Sequence, residues 1–452
     1  MTPSPFFDLP VLVALWVGIS LALVLLAVRR RMAGLTVGFV VGLSLLHVFG
    51  AFIHTLPWNP FRDSETTATG FSVSFIGLVG FAIGNALLSP HLLRGRRPRS
   101  PVSLTGGASA TRICFTVGVA AYLLSFTPAM SLPSAGAVLS VGQQLVLVGF
   151  CLLCWQALRR GEWRRFWLLL AATLSFPLFT LLAQGFLGFG AMAMATVVAF
   201  ASSVYRPRWH MAMLALVLGY AGVAVFTAYM ANRSEIRSAV WGGLPLGTRL
   251  GEVATTVSGI KPISFRDEDL LNAVEGRLNQ NILVGTAVEH TRMTGRYADG
   301  ETIWMAVLAL VPRALWPGKP VAAGSMDLVS EYTGLTFAYG TSVGLGIILE
   351  LYINFRNVGV LLGCLLLGLF VGVLDRRARQ QLDAGDVLGF VQWFLPGLPL
   401  LNVGGSLVEM SAAVAAACLL TFALRHFVNP RGSQAVPRAR APRRVVSEGS
   451  PV

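Results

Sequence analysis

The sequence predicts an all-α polytopic membrane protein with about eleven transmembrane helices and one large outer loop. Hydrophobic residues make up 54% of the 452 residues and charged residues only 12%, whereas a soluble protein carries about 25% charged residues. The apolar residues are gathered in runs of about 17–25, the length that a helix needs to cross a bilayer. Most lysines and arginines lie in short segments between alternate runs, as the positive-inside rule describes.

Residues 1–231 are predicted to form an N-terminal transmembrane bundle of about eight spans. The first run continues directly into Arg29-Arg30-Arg31, and no small-residue cleavage site follows it. We therefore expect a retained span rather than a signal peptide that is removed. The predicted spans cover residues 9–28, 33–53, 71–88, 113–129, 139–158, 166–185, 187–205 and 211–230.

Residues 346–428 are predicted to form the C-terminal transmembrane helices. Residues 429–452 are rich in proline, arginine and serine, a composition typical of a disordered basic tail. The C-terminal spans are expected at 358–374, 387–403 and 407–427. An odd number of spans with the N-terminus outside places this tail in the cytoplasm. The same orientation places the basic clusters at 29–31, 94–99, 159–165 and 376–379 in the cytoplasm, as the positive-inside rule requires.

The net charge and the cysteines exclude two classes of function. The formal net charge is +14, but the excess lies in the predicted inner loops, so we expect no nucleic-acid partner. All five cysteines fall in apolar segments, and the Cys151-x-x-Cys154 pair lies in mid-span without a second pair. This placement is typical of small packing residues and predicts neither a disulfide nor a metal site. No nucleotide-binding glycine loop is present, and no cofactor is expected.

Residues 232–345, here called the large loop, are as long as a small domain. This is far longer than a connection between two helices needs to be. Within it, residues 269–289 carry apolar side chains at helical spacing, which predicts one amphipathic helix. Residues 302–316 are apolar but too short to span. We expect this segment to lie in the membrane interface or to dip back into the protein, with Trp304 and Trp316 at headgroup level.

The densest cluster of candidate residues runs from residue 311 to residue 320. Its three prolines hold the chain out of helix and sheet and place Arg313 and Lys319 on a stiff turn. A guanidinium fork beside an ammonium group suits a pyrophosphate. The alternative is an interfacial anchor, in which Trp316 and the two cations meet lipid headgroups. The spacing alone does not separate the two interpretations.

Glu350 and His290 are the candidates for acid–base chemistry. Glu350 lies in an apolar helix one turn before Asn354, so both side chains share a face that should point toward protein rather than lipid. A carboxylate at that depth is costly unless it is paired or protonated, which favours a function. A structural ion pair with Arg356 is the alternative. His290 is the only histidine of the large loop, and its alternative is a solvated side chain.

One set of residues carries a resemblance to a known family. The set comprises Arg277, Pro312-Arg313, Trp316-Pro317, Lys319-Pro320, Thr341-Ser342, Glu350-x-Tyr352-x-Asn354-Phe355 and Gly359-Val360 with Gly363. In this order and spacing, residues 275–372 resemble the bacterial O-antigen polymerase family, the Wzy-type oligosaccharide repeat-unit polymerases. Two features depart from the family pattern. Arg356 stands where a glycine is expected after Asn354-Phe355. Members of the family carry an R-x10-G pattern in outer loops, and Arg313 with Gly324 provides one such spacing here, but Arg233, Arg237 and Arg249 provide no second one.

The resemblance implies an integral-membrane glycosyltransferase of the bacterial inner membrane. Such an enzyme polymerises undecaprenyl-pyrophosphate-linked repeat units into O-antigen or exopolysaccharide on the outer face of that membrane. By the same resemblance, Arg313, Lys319 and Arg277 would bind the pyrophosphate, and Glu350 or His290 would act as the base or orienting group. Tyr352 would contact sugar or lipid. A chain-length regulator is an implied further partner.

Two alternative functions stay open at the level of sequence. An O-antigen ligase moves a finished glycan to another acceptor with the same architecture, and the sequence does not separate it from a polymerase. A flippase or permease belongs to a different class. It would be expected to show repeat symmetry and broken helices in both halves, and the sequence contains no internal repeat.

Overall fold

The structure is a computed structural model that describes residues 8–61, 64–93, 107–125, 127, 135–205, 208–338, 341 and 343–428. Within these residues every regular element is a helix and no strand occurs. The protein is therefore an all-α polytopic membrane protein, as the sequence predicts. The predicted tail at 429–452, the basic cluster at 94–99 and Ser342 lie outside the described residues.

The first ten helices belong to the predicted N-terminal bundle. They are α1 (Leu9–Arg29), α2 (Leu35–Ile53), α3 (Glu65–Ala82), α4 (Ser89–Leu92), α5 (Gly107–Leu124), α6 (Ala135–Arg159), α7 (Trp163–Ala172), α8 (Ser175–Gln184), α9 (Leu187–Val204) and α10 (Arg208–Ala231). A π-helical turn, Ile83–Leu88, joins α3 to α4. The predicted span at 166–185 is interrupted between α7 and α8. Pro177 explains the break, because it has no amide hydrogen to continue the helical bonds.

The remaining helices belong to the large loop and to the C-terminal part. They are α11 (Arg233–Trp241), α12 (Leu246–Ser258), α13 (Glu268–Arg277), α14 (Asn281–Thr294), α15 (Glu301–Ala309), α16 (Ser325–Thr333), α17 (Ile347–Asp383), α18 (Val387–Phe394) and α19 (Leu407–Val428). Two short 3-10 turns, Leu395–Gly397 and Pro399–Leu401, extend the course of α18. The span predicted at 358–374 is only the middle of the much longer α17.

In the described part of the chain, nine helices are long and apolar enough to cross a membrane. Two shorter apolar helices, Ser109–Leu124 and Val387–Leu401, stand at the two remaining predicted positions. Close backbone contact holds α17 against α3 and the π-helical turn. A methyl group on Gly84 would lie 2.0 Å from the Leu365 carbonyl oxygen, and one on Gly368 would lie 2.2 Å from the Phe81 carbonyl oxygen. Small residues at such crossings let membrane helices approach closely.

Part of the large loop packs into the bundle. The backbones of α14 and α3 are in close contact, because a methyl group on Gly285 would lie 1.9 Å from the Thr66 carbonyl oxygen. The segment predicted to be interfacial or re-entrant forms α15, which packs against α19. Thr302 and Ala306 are buried there, while Trp304 is 60% exposed. One face of α15 therefore packs against protein, and the opposite face is exposed.

The prediction of a single amphipathic helix over residues 269–289 is wrong. The structure divides the segment into α13 and α14. The Gln280 amide donates to the Leu46 carbonyl oxygen over 3.0 Å, and Asn281 Nδ2 donates to the His47 carbonyl oxygen over 2.8 Å. Both bonds go to α2 rather than along the helix. The backbone of this junction is therefore satisfied by a neighbouring helix, and the helical ladder is interrupted.

Candidate functional site

Three arginines of the large loop converge where α10 ends. Arg233 and Arg237 lie one turn apart on α11, and Arg277 is the last residue of α13. Burial, followed by the charges of Arg277 and Arg237, lowers the pKa of Arg233. Burial, followed by the charge of Arg237, lowers the pKa of Arg277. All three groups remain cations, because arginine is not deprotonated in proteins. We call this set the arginine cluster.

Within the described residues, no carboxylate pairs with the arginine cluster. Among the ion pairs of the described residues, none includes any of its three guanidinium groups. Glu235 lies on the same helix but is exposed, and its carboxylate accepts a hydrogen bond of 2.8 Å from the Ser234 hydroxyl. Glu275, two residues before Arg277, pairs instead with His54 over 3.0 Å. Three cations that form no ion pair within the described residues would be stabilised by an anion placed between them.

Aromatic rings hold Arg237 in place without using all of its donors. Its Cζ lies 4.4 Å from the centre of the Phe186 ring and 5.3 Å from that of Trp241. Guanidinium groups stack favourably on aromatic faces at such distances. The Arg237 Nε is nevertheless buried without a hydrogen-bond partner among the described residues. The side chain is therefore positioned in advance and retains an unused donor.

Tyr229 forms the floor beneath the arginine cluster. Its hydroxyl donates to the Gly185 carbonyl oxygen over 2.9 Å and also faces Arg233. Gly185 ends α8 with a positive φ of 76°, a conformation that glycine adopts at little cost. The same end of α8 receives the Trp241 indole, which donates to the Gln184 carbonyl oxygen over 3.2 Å. Helices α8, α10 and α11 are thus fastened together under the cluster.

An apolar face of α10 leads along the bundle to the arginine cluster. Trp209, Leu216, Val217 and Tyr220 on this helix are all more than half exposed. In a membrane protein such a face contacts lipid chains. The exposed face of α10 is therefore apolar, and the positively charged arginine cluster lies at the end of this helix. This combination matches a ligand with a long apolar tail and an anionic head.

Arg313 and Lys319 lie together on the predicted turn, but apart from Arg277. Arg313 donates to the Pro320 carbonyl oxygen over 3.3 Å, and the Lys319 ammonium donates to the Val311 carbonyl oxygen over 3.0 Å. Burial and the neighbouring Arg313 lower the pKa of Lys319. Within the described residues, the cations near Arg277 are those of α11. The three predicted pyrophosphate contacts are thus divided between two cationic groups.

Glu350 is fully buried and faces protein, as predicted. Its Oε2 accepts a hydrogen bond of 2.6 Å from the Leu407 amide, at the first residue of α19. A carboxylate at a helix N-terminus is stabilised by the helix dipole. Its Oε1 is buried without a hydrogen-bond partner in the described part of the chain. The alternative ion pair with Arg356 is not formed, because the Arg356 guanidinium lies 4.3 Å over the Tyr297 ring.

Asn354 and Arg356 connect α17 to the start of α15. Asn354 Oδ1 accepts from the Gly300 amide over 2.9 Å, and Asn354 Nδ2 donates to the Thr302 hydroxyl over 2.7 Å. Arg356 has φ 55° and ψ −149° at a kink inside α17. Glycine adopts such a conformation far more readily than any other residue. The position where the resemblance leads us to expect glycine is therefore a position whose backbone favours glycine.

His290 and Tyr352 are positioned by packing. His290 is half-buried against the end of α16, where a methyl group on Gly334 would lie 2.9 Å from its Nδ1. Tyr352 is buried and faces Tyr297 and Arg356. In the described part of the chain, neither residue contacts the arginine cluster. The structure therefore does not gather the sequence-predicted residues into one site.

The sequence alone does not single out Arg233 and Arg237. Their separation by four residues, directly after an apolar span, is a usable signal because it places both on one helix face. Their proximity to Arg277 depends on the fold and has no local signal. No family model, curated protein or solved structure matches the chain. The resemblance to Wzy-type polymerases accordingly stays a prediction.

Proposed function

We propose that the protein is a membrane glycosyltransferase that joins undecaprenyl-pyrophosphate-linked repeat units into a polysaccharide on the outer face of the bacterial inner membrane. The observation that carries the proposal is the arginine cluster, three guanidinium groups that no carboxylate of the described residues pairs with, at the end of an apolar helix face. An undecaprenyl pyrophosphate has a long apolar tail and a compact anionic head. The tail suits the exposed face of α10, and the head suits the cluster.

The proposed reaction explains why cations are needed at this place. A hydroxyl oxygen of the acceptor sugar forms a bond to the anomeric carbon of the donor as the bond from that carbon to the pyrophosphate breaks. The electron pair of the broken bond leaves with the pyrophosphate, and the hydroxyl proton passes to a general base. Glu350 and His290 are the sequence-predicted candidates for this base, although neither contacts the arginine cluster within the described residues. Negative charge grows on the leaving group in the transition state. Preorganised guanidinium groups stabilise that charge more than they stabilise the bound substrate.

The division of the cations into two groups supports a polymerase. Both substrates of a polymerase, the growing chain and the incoming repeat unit, carry an undecaprenyl pyrophosphate. The arginine cluster provides one cationic group for such a head, and the turn that holds Arg313 and Lys319 provides another. We assign the leaving pyrophosphate to the arginine cluster. The cations of the other group, Arg313 and Lys319, already donate hydrogen bonds to the backbone carbonyl groups of Pro320 and Val311.

Binding of undecaprenyl pyrophosphate to the purified protein in nanodiscs tests the proposal. Arg237→Gln removes one charge and one positioned donor, so we expect affinity to fall about 10- to 100-fold, as for the loss of a charged hydrogen bond. The matched control is Arg296→Gln, because Arg296 is exposed and already paired with Glu331 at 3.3 Å. This control should bind as the wild type does. Equal affinity of the wild type and Arg237→Gln would contradict the proposed site.

A further inference from the structure

A groove of about 850 Å³ runs along α5, where this helix lies beside α6 and the start of α7. Its volume is in the range of about 300–1,000 Å³ that small-molecule sites have. The residues of α5 that line it recur at helical spacing and are Arg112, Phe115, Thr116, Val119, Ala120 and Leu123. Residues spaced in this way share one face of a helix. At a rise of about 1.5 Å for each residue, the groove follows α5 for about 16 Å.

Contacts between α5 and α6 fix the shape of the groove. A methyl group on Gly118 would lie 2.8 Å from the Val146 amide nitrogen, so the two backbones are in close contact there. Closer to the start of α5, Gln156 Nε2 donates to the Thr111 hydroxyl over 2.9 Å. This bond holds the start of α5 beside the end of α6. The protein's own contacts therefore determine the course of the groove.

Three arginines line the same end of the groove. Arg112 lies in the second turn of α5, Arg160 directly follows α6, and Arg165 lies in the first turn of α7. None of the described residues that line the groove is acidic. Glu162 lies nearby and pairs with Arg165 at 3.0 Å and with Arg160 at 3.9 Å. One carboxylate therefore serves two arginines, and positive charge is in excess at this end.

The groove becomes apolar with distance from the arginines. Val119 and Leu123 of α5 are exposed, and Leu153 of α6 lines the groove with them. Exposed apolar side chains of a membrane-spanning bundle contact lipid chains. The groove thus combines a cationic end with an apolar course of more than two helical turns. A ligand that fits it has an anionic head and an apolar chain.

Charge distinguishes between the possible occupants. Residues 94–106, which precede α5 in the chain and lie outside the described residues, carry four arginines and no acidic residue. Their like charge makes them an unsuitable occupant. A soluble anion would leave the apolar part of the groove unused. Basic pockets between transmembrane helices bind the head groups of anionic lipids, and such a lipid complements both parts of the groove.

We propose that this groove binds an anionic phospholipid. Its phosphate lies against Arg112, Arg160 and Arg165, and one acyl chain lies along Val119 and Leu123. The site is separate from the arginine cluster, since the two share no residue, and the proposal does not depend on the proposed function. In the predicted orientation the three arginines are cytoplasmic, so the lipid belongs to the cytoplasmic leaflet.

The selectivity for the head group tests the proposal. The probes are phosphatidylglycerol and phosphatidylcholine with the same acyl chains, and binding to the purified full chain is measured by native mass spectrometry. The wild type should prefer phosphatidylglycerol at least about tenfold. Arg160→Gln should lower this preference about fivefold, the usual effect of one basic residue near an anionic lipid surface.

The matched control is Arg159→Gln, which removes the same charge from the neighbouring residue. Arg159 is exposed, does not line the groove and lies 5.2 Å over the Trp155 ring. This control should keep the preference of the wild type, and so should Arg237→Gln in the arginine cluster. No preference in the wild type, or an equal loss in Arg159→Gln and Arg160→Gln, would overturn the proposal.

A second pair of variants tests the apolar part of the groove. Ala120→Trp places a large ring in the groove at an exposed position, and Leu124→Trp is its control, exposed on the same helix but outside the groove. Only Ala120→Trp should weaken the binding of phosphatidylglycerol. Glycerol 3-phosphate, which has the phosphate but no acyl chain, should not displace the lipid even at a large excess. Unchanged binding in Ala120→Trp, or displacement by glycerol 3-phosphate at a concentration similar to that of the lipid, would contradict a lipid site.

Discussion

The Glu350 carboxylate and the Leu407 amide form a partly buried hydrogen bond of 2.6 Å that joins the first turn of α17 to the first residue of α19. The bond uses one carboxylate oxygen, and the other is buried without a hydrogen-bond partner in the described residues. One oxygen thus fastens two helices, and the Thr302 hydroxyl faces the carboxylate as well. A structural role of this carboxylate and a role in the reaction can be separated by substitution.

Glu350→Gln keeps an oxygen that can accept from the Leu407 amide but removes the charge. If Glu350 orients the acceptor hydroxyl or takes its proton, this variant should lose polymer while single repeat units still reach the cell surface. Protein abundance should stay normal. Surface glycans and protein level are measured on the same cells. Disappearance of the single units along with the polymer would contradict the enzymatic role and favour a transporter.

Glu350→Ala is the structural counterpart of that variant. It leaves the Leu407 amide buried without an acceptor, which costs about 1–3 kcal/mol. We expect a lower melting temperature for Glu350→Ala than for Glu350→Gln in detergent. Equal melting temperatures would show that the bond to Leu407 contributes nothing to stability.

The Arg313→Lys variant should lack wild-type activity, although it keeps the positive charge. A guanidinium can hold two phosphate oxygens at once, whereas an ammonium group acts as a single point of charge. In the proposed assignment Arg313 binds the pyrophosphate of the second substrate, so the loss of a charged hydrogen bond should weaken binding of that substrate about 10- to 100-fold. Polymer length on gels, at matched protein level, is the measurement. Polymer of wild-type length would identify Arg313 as an interfacial anchor.

Arg356→Gly should be more stable than Arg356→Ala. Both variants lose the contact between the guanidinium and the Tyr297 ring, but only glycine relieves the backbone at φ 55° and ψ −149°. A backbone of this kind costs on the order of 1–3 kcal/mol for other residues. Thermal unfolding of the two variants, purified in the same detergent, compares them directly. An alanine variant as stable as the glycine variant would mean that the kink is not strained.

The transmembrane helices could be predicted from sequence because each is a local property of about 20 consecutive residues. The break between α13 and α14 could not be predicted, since Asn281 bonds to His47, 234 residues away in sequence. The apolar residues of this segment do have helical spacing. At the junction, however, the Gln280 amide and the Asn281 side chain donate to carbonyl groups of α2. The arginine cluster was missed for a related reason, because Arg277 joins Arg233 and Arg237 only through the packing of α13 beside α10.

The predicted orientation rests on the distribution of basic residues and is testable by itself. Reporter fusions after Arg97, Arg164 and Arg431 should report the cytoplasm, and a fusion at Arg292 should report the outer side. The positive-inside rule is the physical reason. A cytoplasmic signal at Arg292 would place the arginine cluster on the wrong side of the membrane for the proposed reaction.

Release of undecaprenyl pyrophosphate by the purified protein in liposomes tests the proposed glycosyl transfer most directly. With lipid-linked repeat units supplied, we predict one molecule of undecaprenyl pyrophosphate released for each linkage formed. Arg237→Lys should reduce this release on the order of 10²- to 10³-fold, and Arg296→Lys should leave it unchanged. Movement of the lipid-linked units across the bilayer by the wild-type protein, without release or polymer, would contradict the assignment as a glycosyltransferase.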